Sequence, residues 1–159
     1  MPEISIRNLV SEAEAKACAA MMASSEPWIT IGRTFDECLA LLVDPAREVY
    51  VAVEEGSVRG FIIINMQGAF SGYIQTICVD PDTRGTGLGS RLIAFAEARI
   101  FRDSPNVFLC VSSFNPRARS LYERLGYETI GEIHDFLVRG HSEVLMRKTI
   151  GPLREFRKH

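Results

Sequence analysis

The sequence predicts a mixed α+β domain with a central, largely antiparallel sheet of about seven strands, flanked by about four helices. Short apolar segments bounded by turn residues recur along the chain; two of them, Glu48–Glu54 and Val58–Met66, are joined by a hairpin signal. The strand Tyr73–Val79 is followed by an amphipathic helix and then by the apolar segment Asn106–Ser113. A strand, crossover helix and strand of this kind predict one parallel pair with a right-handed connection.

The helices are predicted from their end signals. Ser11 with Glu14, and Thr34 with Glu37, form capping boxes that open a first helix, ending near Ala23, and a short second helix. The remaining predicted features are a first strand at Glu3–Leu9, a break at Ser24–Trp28, a helix after Asn115, and two antiparallel strands at Tyr127–Ile133 and His141–Thr149.

Length and composition favour one soluble globular domain. The chain has 159 residues, of which 47% are apolar and 24% charged, and its net charge is −2. We expect residues 1–150 to form the domain and residues 151–159 a basic tail. The near-neutral charge argues against a nucleic-acid partner. No apolar run approaches membrane length and no signal-peptide core is present, so no membrane partner is expected.

The cysteine and histidine patterns indicate neither disulfides nor a metal site. The four cysteines lie in apolar patterns without a C-x-x-C pair: Cys18, Cys38, Cys78 and Cys110. The three histidines lack the spacing of metal ligands: His134, His141 and His159. We therefore expect reduced core cysteines, a cytoplasmic location and no metal.

A glycine-spaced loop, Arg84–Gly89, leads from the strand Tyr73–Val79 directly into a helix. Glycines at 85, 87 and 89 allow close approach of a ligand and backbone angles that a Cβ disfavours. The first turn of the helix has N–H groups without partners inside the helix, and the helix dipole adds positive charge there. The loop is therefore predicted to hold a phosphate or pyrophosphate.

Two familiar phosphate motifs do not fit this loop. A P-loop requires a lysine after its last glycine, and none is present. A dinucleotide fingerprint requires G-x-G-x-x-G and an acid on the next strand, whereas the loop reads G-x-G-x-G-S and Asp103 precedes that strand. A third pattern, [Arg/Gln]-x-x-Gly-x-[Gly/Ala], is filled by Arg84, Gly87 and Gly89. In this loop the sequence resembles the GNAT superfamily of acyl-CoA-dependent N-acetyltransferases, where it holds the coenzyme A pyrophosphate.

A second motif strengthens the resemblance. The segment Asn115–Tyr127 reads NPRARSLYERLGY and matches the family pattern N-x-x-A-x-x-L-Y-x-x-x-G-[FY] in type and spacing. Asn115 suits a helix N-cap, Pro116 the first helical position and Gly126 the C-terminal end. The resemblance implies a GNAT-like fold in which the two parallel strands splay apart and the pantetheine arm lies between them.

The implied reaction is direct transfer of an acetyl group from acetyl-CoA to a primary amine of a small molecule or peptide. The resemblance makes Tyr122 the general acid that protonates the leaving thiolate, and a backbone N–H near Cys78 or Val79 the group that polarises the thioester. The expected coenzyme contacts are Ile77, Cys78, Val79, Arg84, Gly85, Thr86, Gly87, Leu88, Gly89, Ser90, Asn115, Arg119 and Tyr122.

The base that deprotonates the amine is not assigned by any motif. Many relatives carry a glutamate in one of the two parallel strands, but these read YIQTICV and FLCVSS here. His134, Asp135, His141 and a water relayed by Ser112 or Thr76 stay open as bases.

The acceptor is expected to contact Trp28 and Asp135, with Glu26 as a further carboxylate. Arg117 and Arg119 are predicted to meet the 3′-phosphate of the coenzyme. Two other functions stay open: a non-catalytic acyl-CoA-binding or sensing module, which the missing base favours, and a nucleotide-binding protein. A homodimer is compatible with the sequence.

Overall fold

The structure is a computed structural model that describes residues 2–157. Met1, Lys158 and His159, the last two at the end of the predicted tail, lie outside the described residues. Within residues 2–157 the chain forms seven strands, five α-helices and two 3₁₀ turns, at Pro81–Thr83 and Leu153–Glu155. In chain order the strands and α-helices are β1 Ser5–Asn8, α1 Glu12–Ala23, α2 Trp28–Ile31, α3 Phe35–Leu42, β2 Glu48–Glu54, β3 Ser57–Asn65, β4 Tyr73–Val79, α4 Leu88–Ile100, β5 Asn106–Ser112, α5 Pro116–Arg124, β6 Glu128–His134 and β7 Ser142–Thr149.

All seven strands belong to one sheet in the order β1-β2-β3-β4-β5-β7-β6. Every neighbouring pair is antiparallel except β4 and β5, which are parallel and connected through α4. The predicted fold class is therefore confirmed.

Helices cover both faces of the sheet because side chains of adjacent strand residues point to opposite faces. Ile62 and Ile64 of β3 pack with residues of α4 and α5. Phe61 and Ile63, from the same strand, pack with residues of α1 and α3 on the opposite face. None of the helices formed by residues 2–157 has both the length and the apolar character of a membrane-crossing segment.

The predicted helix caps form, although among the described residues neither capping box has its reciprocal bond from the glutamate side chain. The Ser11 Oγ accepts a hydrogen bond from the Glu14 N–H at 3.2 Å, and the Thr34 Oγ1 accepts one from the Glu37 N–H at 3.2 Å. The Glu14 carboxylate turns to the Val10 N–H and to the Arg7 guanidinium instead of to Ser11. The two side-chain caps still start α1 and α3 where the sequence predicts.

The one-turn helix α2 begins at the end of the segment Ser24–Trp28, for which the sequence predicts only a break between helices. The break extends to Pro27, and the helix begins at Trp28. The Glu26 carboxylate accepts hydrogen bonds from the N–H and the hydroxyl of Thr30, at 2.9 and 2.8 Å, and Gly32 ends the helix with φ +84°. These bonds hold the turn together, and contact of Glu26 with an acceptor stays a prediction.

The two parallel strands separate soon after they meet. Only Tyr73 with Phe108 and Ile74 with Leu109 are paired, which are the first two residues of β4 and the third and fourth of β5. At the same point the register of β4 against β3 shifts, which makes Gln75 an extra residue in β4. A bulge of this kind bends its strand, so the carboxyl-terminal halves of β4 and β5 diverge. The predicted splay is confirmed.

Gly72 fixes the closed end of this wedge. Its carbonyl accepts a hydrogen bond from the Phe108 N–H at 3.0 Å, and its φ is +93°. A Cβ at this position would lie 2.4 Å from the Asn106 carbonyl oxygen and 2.6 Å from the Ile100 Cγ2. Glycine therefore allows β4 to start in close contact with the start of β5.

We expect Gly72→Ala to destabilise the protein by about 2–4 kcal/mol, from left-handed backbone strain plus the clash with Asn106. Gly68→Ala is the matched control, because Gly68 has φ +84° with nothing within 4 Å of its Cβ position. That control should cost only about 1 kcal/mol. Urea unfolding measures both, and equal losses would contradict the assigned role of Gly72.

Candidate active site

The opening between β4 and β5 leads into a cavity of about 1340 Å³. Its walls are β4, the glycine loop with the start of α4, the end of β5 with α5, the segment around α2, and the loop from β6 to β7. Five separate parts of the chain therefore meet at the carboxyl ends of the two parallel strands, where open sheets bind ligands.

The glycine loop has the geometry of an anion site. Gly85 and Gly87 have φ of +81° and +88°, and no atom lies within 4 Å of where their Cβ atoms would stand. Helix α4 begins at Leu88 without a side-chain cap. The Thr86 hydroxyl donates to the Thr83 carbonyl at 2.6 Å and holds the bend closed. The first N–H groups of α4 are thus available to a negatively charged ligand.

Arg84 ties this loop to its neighbours. Its Nε donates to the Val79 carbonyl at 3.2 Å, and its terminal nitrogen donates to the Ser25 hydroxyl at 3.3 Å. Arg84 also lines the cavity. One guanidinium therefore joins the loop, the end of β4 and the segment after α1, while its charge faces the same space as the helix start.

The backbone of β4 presents alternate residues to the opening. The Asp80 N–H donates to the Arg59 carbonyl at 2.8 Å, so Asp80 is directed towards β3. Since successive residues of an antiparallel ladder point their backbone groups to opposite sides, Cys78 also faces β3, whereas Ile77 and Val79 face the gap. Of the two residues predicted to polarise a bound carbonyl, Val79 has the required orientation and Cys78 does not.

Tyr122 lies on the cavity wall with 7% of its surface exposed. Its hydroxyl forms no hydrogen bond within residues 2–157, and burial raises the pKa of Tyr122 to about 12. The phenol therefore stays protonated at neutral pH and can donate a proton into the cavity. Asn115, also on the wall, caps α5 by accepting from the Ala118 N–H at 3.3 Å.

Besides Thr86, two predicted ligand contacts, Arg119 and Asp135, lie away from the cavity lining. Arg119 interacts with the Glu123 carboxylate at 3.3 Å and the Thr129 hydroxyl at 3.2 Å. The Asp135 carboxylate accepts from the Gly140 N–H at 2.7 Å and holds the β6–β7 loop. Contacts of Arg119 with coenzyme and of Asp135 with substrate stay predictions, and the structure gives both side chains local partners.

The other predicted ligand residues line the cavity, with the exception of Thr86, whose hydroxyl holds the loop. They are Trp28, Ile77, Cys78, Val79, Arg84, Gly85, Gly87, Leu88, Gly89, Ser90, Asn115 and Tyr122. Arg117, predicted together with Arg119 to meet the 3′-phosphate, lines it as well.

The two described histidines proposed as bases are turned to other partners. His134 Nδ1 lies 2.8 Å from the Ser142 hydroxyl, and the His141 ring packs edge-on against Phe114 with centroids 4.8 Å apart. Neither histidine lines the cavity, whereas Thr76 and Ser112 do.

Glu143 is a carboxylate that the sequence analysis missed. It lies on β7 opposite Ser112 of β5, lines the cavity and is only 5% exposed. Burial raises the pKa of Glu143, and an interaction with Ser112 partly opposes this. Tyr73 and Cys110 line the same part of the cavity. The pKa of Tyr73 is raised mainly by burial, and to a smaller extent by its neighbours Cys110 and Glu143. In the sequence, the feature that could have indicated Glu143 is a glutamate directly before the apolar residues of the last strand.

The cysteines are unpaired, as predicted. Burial raises the pKa of Cys18 and of Cys78 to about 12, and it also raises the pKa of Cys110. Each of these thiols is therefore a poor nucleophile at neutral pH. Within residues 2–157, no three His, Cys, Asp or Glu side chains come together as a set of metal ligands.

Comparison with known proteins identifies a family. A model described as the acetyltransferase (GNAT) family matches residues 9–127. Blasticidin-S acetyltransferase from Streptomyces morookaense is 33% identical over 87 residues, which are 55% of this chain and 63% of that protein. S-(2-succino)cysteine N-acetyltransferase from Bacillus subtilis (strain 168) is 34% identical over 110 residues, 64% of this chain and 66% of that protein. The chain thus spans less than two thirds of the length of each.

Solved structures share the fold. An aminoglycoside 6′-N-acetyltransferase complexed with coenzyme A superposes with a TM-score of 0.76 at 19% identity, covering 93% of this chain and 98% of that one. The ribosomal-protein-S18-alanine N-acetyltransferase from Escherichia coli gives a TM-score of 0.76 at 18% identity, covering 99% and 100%.

We expect Glu143→Gln to raise the melting temperature at pH 7 by roughly 2–4 °C. The raised pKa of Glu143 means that folding favours its neutral form, so its ionisation above that pKa costs stability that a glutamine does not lose. The groups facing this carboxylate are Ser112, Cys110 and Tyr73, none of them cationic.

The difference should shrink towards pH 4, where the glutamate is protonated in both folded and unfolded chains. Calorimetric melting curves of both proteins at the two pH values measure it. A variant that is less stable than the wild type at pH 7 would contradict the assigned burial of a charged group.

Proposed function

The chain belongs to the acetyltransferase (GNAT) family, and on that premise we propose that it transfers an acetyl group from acetyl-CoA to a primary amine. The observation that carries the proposal is the wedge between β4 and β5, which opens beside the uncapped start of α4. A strand gap and an anion site in contact suit a ligand that has a diphosphate at one end and an extended arm at the other.

The diphosphate of the coenzyme fits the glycine loop. Gly85 and Gly87 leave open the space that a side chain would fill, and the N–H groups of Leu88, Gly89 and Ser90 start α4. Arg84 and Arg117, both on the cavity wall, add positive charge. The pantetheine amides then pair with the exposed backbone of β4, as an added strand would.

The chemical step needs a polarised carbonyl and a proton for the leaving thiolate. The Val79 N–H faces the gap and is suited to bind the thioester oxygen as it becomes negative. Tyr122 lines the same cavity with a protonated hydroxyl and is suited to protonate the sulfur. Both groups act only on the thioester end of the coenzyme, so they are independent of the acceptor.

The alternative of a non-catalytic acyl-CoA-binding module rested on the missing carboxylate. Glu143 supplies a carboxylate on the cavity floor from β7, which is neither of the two parallel strands. We therefore favour the enzyme. A cytoplasmic location and a homodimer stay predictions.

The direct test is release of coenzyme A thiol from acetyl-CoA in the presence of a panel of primary amines. Amine-dependent release is expected. Binding of acetyl-CoA without release by any amine would instead support the binding module.

We expect Gly87→Ala to weaken acetyl-CoA binding about 10-fold or more, because a Cβ would enter the space intended for the diphosphate. Gly56→Ala is the matched control: Gly56 has φ +80°, also with nothing within 4 Å, but lies in the β2–β3 turn. Calorimetric titration with acetyl-CoA should separate the two variants although their backbone strain is similar. Equal affinities would count against the glycine loop as the diphosphate site.

We expect Tyr122→Phe to lower kcat about 100-fold or more and to change the Kd for acetyl-CoA less than 3-fold, since the variant loses only the proton donor. Because the pKa of Tyr122 is about 12, its deprotonation should cause no loss of activity between pH 6 and about pH 10.

Tyr127→Phe is the control for Tyr122→Phe. The Tyr127 hydroxyl donates to the Glu97 carboxylate at 2.8 Å, away from the cavity lining. Its loss should reduce stability and leave kcat unchanged. A similar fall of kcat in both variants would remove the specific role of Tyr122.

A further inference from the structure

We propose that Glu143 binds the ammonium group of the acceptor and takes its proton, and that the acceptor is a primary amine attached to an apolar body. This inference rests on the proposed acetyl transfer for its chemistry. It assigns a carboxylate of β7 and an apolar wall of the cavity to one subsite, the acceptor subsite.

Glu143 is the buried carboxylate of the cavity lining within residues 2–157. The acidic residues of that lining, within residues 2–157, are Glu26 and Glu143. Both oxygens of Glu26 accept hydrogen bonds from Thr30, and Glu26 is exposed to solvent, so it gains less from a bound cation than a buried carboxylate does. Glu143 is 5% exposed and has no salt bridge among the described residues. A buried carboxylate without a cation is costly, and an ammonium ligand would offset that cost.

The position of Glu143 on the sheet places it beside the open strands. Ser112, its partner on β5, is the last residue of that strand. The next residue, Ser113, donates its N–H to the Ser142 carbonyl at 2.8 Å and so continues the pairing past the end of β5. Glu143 therefore lies at the carboxyl end of β5, where the gap to β4 is wide and where a thioester would emerge.

The walls near this carboxylate are apolar. Phe136 and Leu137 come from the loop that leads into β7, and Ile29 from α2; their exposed fractions are 53%, 41% and 54%. Trp28 and Phe114 also line the cavity. Large apolar side chains exposed together around a cavity indicate a ligand that covers them. An amine whose nitrogen reaches Glu143 would lay its body against this wall.

The proton transfers balance over one turnover. The ammonium gives one proton to Glu143, and the free amine attacks the thioester carbonyl carbon. The carbon–sulfur bond then breaks, the sulfur takes a proton from Tyr122, and the nitrogen gives up its second proton, which restores Tyr122 through solvent. Glu143 returns its proton to solvent, so one proton is released for each amide formed.

The binding test uses the full chain saturated with coenzyme A and three probes that differ in one feature each. By calorimetry at pH 7, 3-phenylpropylamine should bind about 10-fold or more tightly than n-propylamine, because the apolar wall covers its ring. Glu143→Gln should weaken 3-phenylpropylamine about 10-fold or more, yet change binding of the uncharged 3-phenylpropanol less than 2-fold.

Glu132→Gln is the matched control, because Glu132 is an exposed glutamate on the neighbouring strand β6 and lies outside the cavity lining. It should bind all three probes as the wild type does. Retained binding of 3-phenylpropanol shows that Glu143→Gln is folded. If Glu143→Gln binds neither the amine nor the alcohol, Glu143→Asp serves as the second variant. It keeps the negative charge and is expected to bind the amine.

Equal affinity of wild type and Glu143→Gln for the amine would overturn the role of Glu143. Binding of n-propylamine as tight as, or tighter than, that of 3-phenylpropylamine would overturn the apolar acceptor. In turnover, Glu143→Gln should lower kcat/KM about 100-fold or more, against no change in Glu132→Gln. Charge-dependent binding of the amine without thiol release by any amine would refute the proposed acetyl transfer and leave the subsite standing.

Discussion

The separation of β4 from β5 is the constraint on which the rest of the structure depends. Two residue pairs join the start of β4 to the first half of β5, Gly72 allows close contact with the start of β5, and the bulge at Gln75 turns β4 away. A sheet that parts in its middle leaves backbone N–H and C=O groups without partners, which is costly unless water or a ligand takes them. The wedge therefore indicates a ligand that pairs with strand backbone.

The two faces of the sheet contribute different groups to the cavity at this wedge. On one face α4 and α5 bring the uncapped helix start and Tyr122 to the opening. On the other face α2 and the β6–β7 loop frame a space whose floor holds Glu143. Coenzyme and acceptor would thus enter from different sides and meet between the strands. Burial raises the pKa of Tyr122 on one side and of Glu143 on the other, and perturbed pKa values of this kind are common at functional sites.

Local signals in the sequence predicted the fold well because each depends on a few adjacent residues. Capping at Ser11 and Thr34, the strand bounds Glu48–Glu54 and Tyr73–Val79, and the glycine loop all belong to this class. Glu143 was missed for the opposite reason. Its importance comes from the sheet order, which inserts β7 next to β5, and no local pattern encodes that neighbour. Likewise, Arg119 and Asp135 are typical ligand residues by type, but their local partners follow from register and loop closure, which the sequence alone does not provide.

A crystal structure of the protein with coenzyme A tests the central claim most directly. The account predicts a diphosphate bound to the N–H groups between residues 85 and 90, and a pantetheine arm that lies between β4 and β5 and pairs with Ile77 and Val79. An empty glycine loop, or strands that close along their full length in the complex, would contradict it.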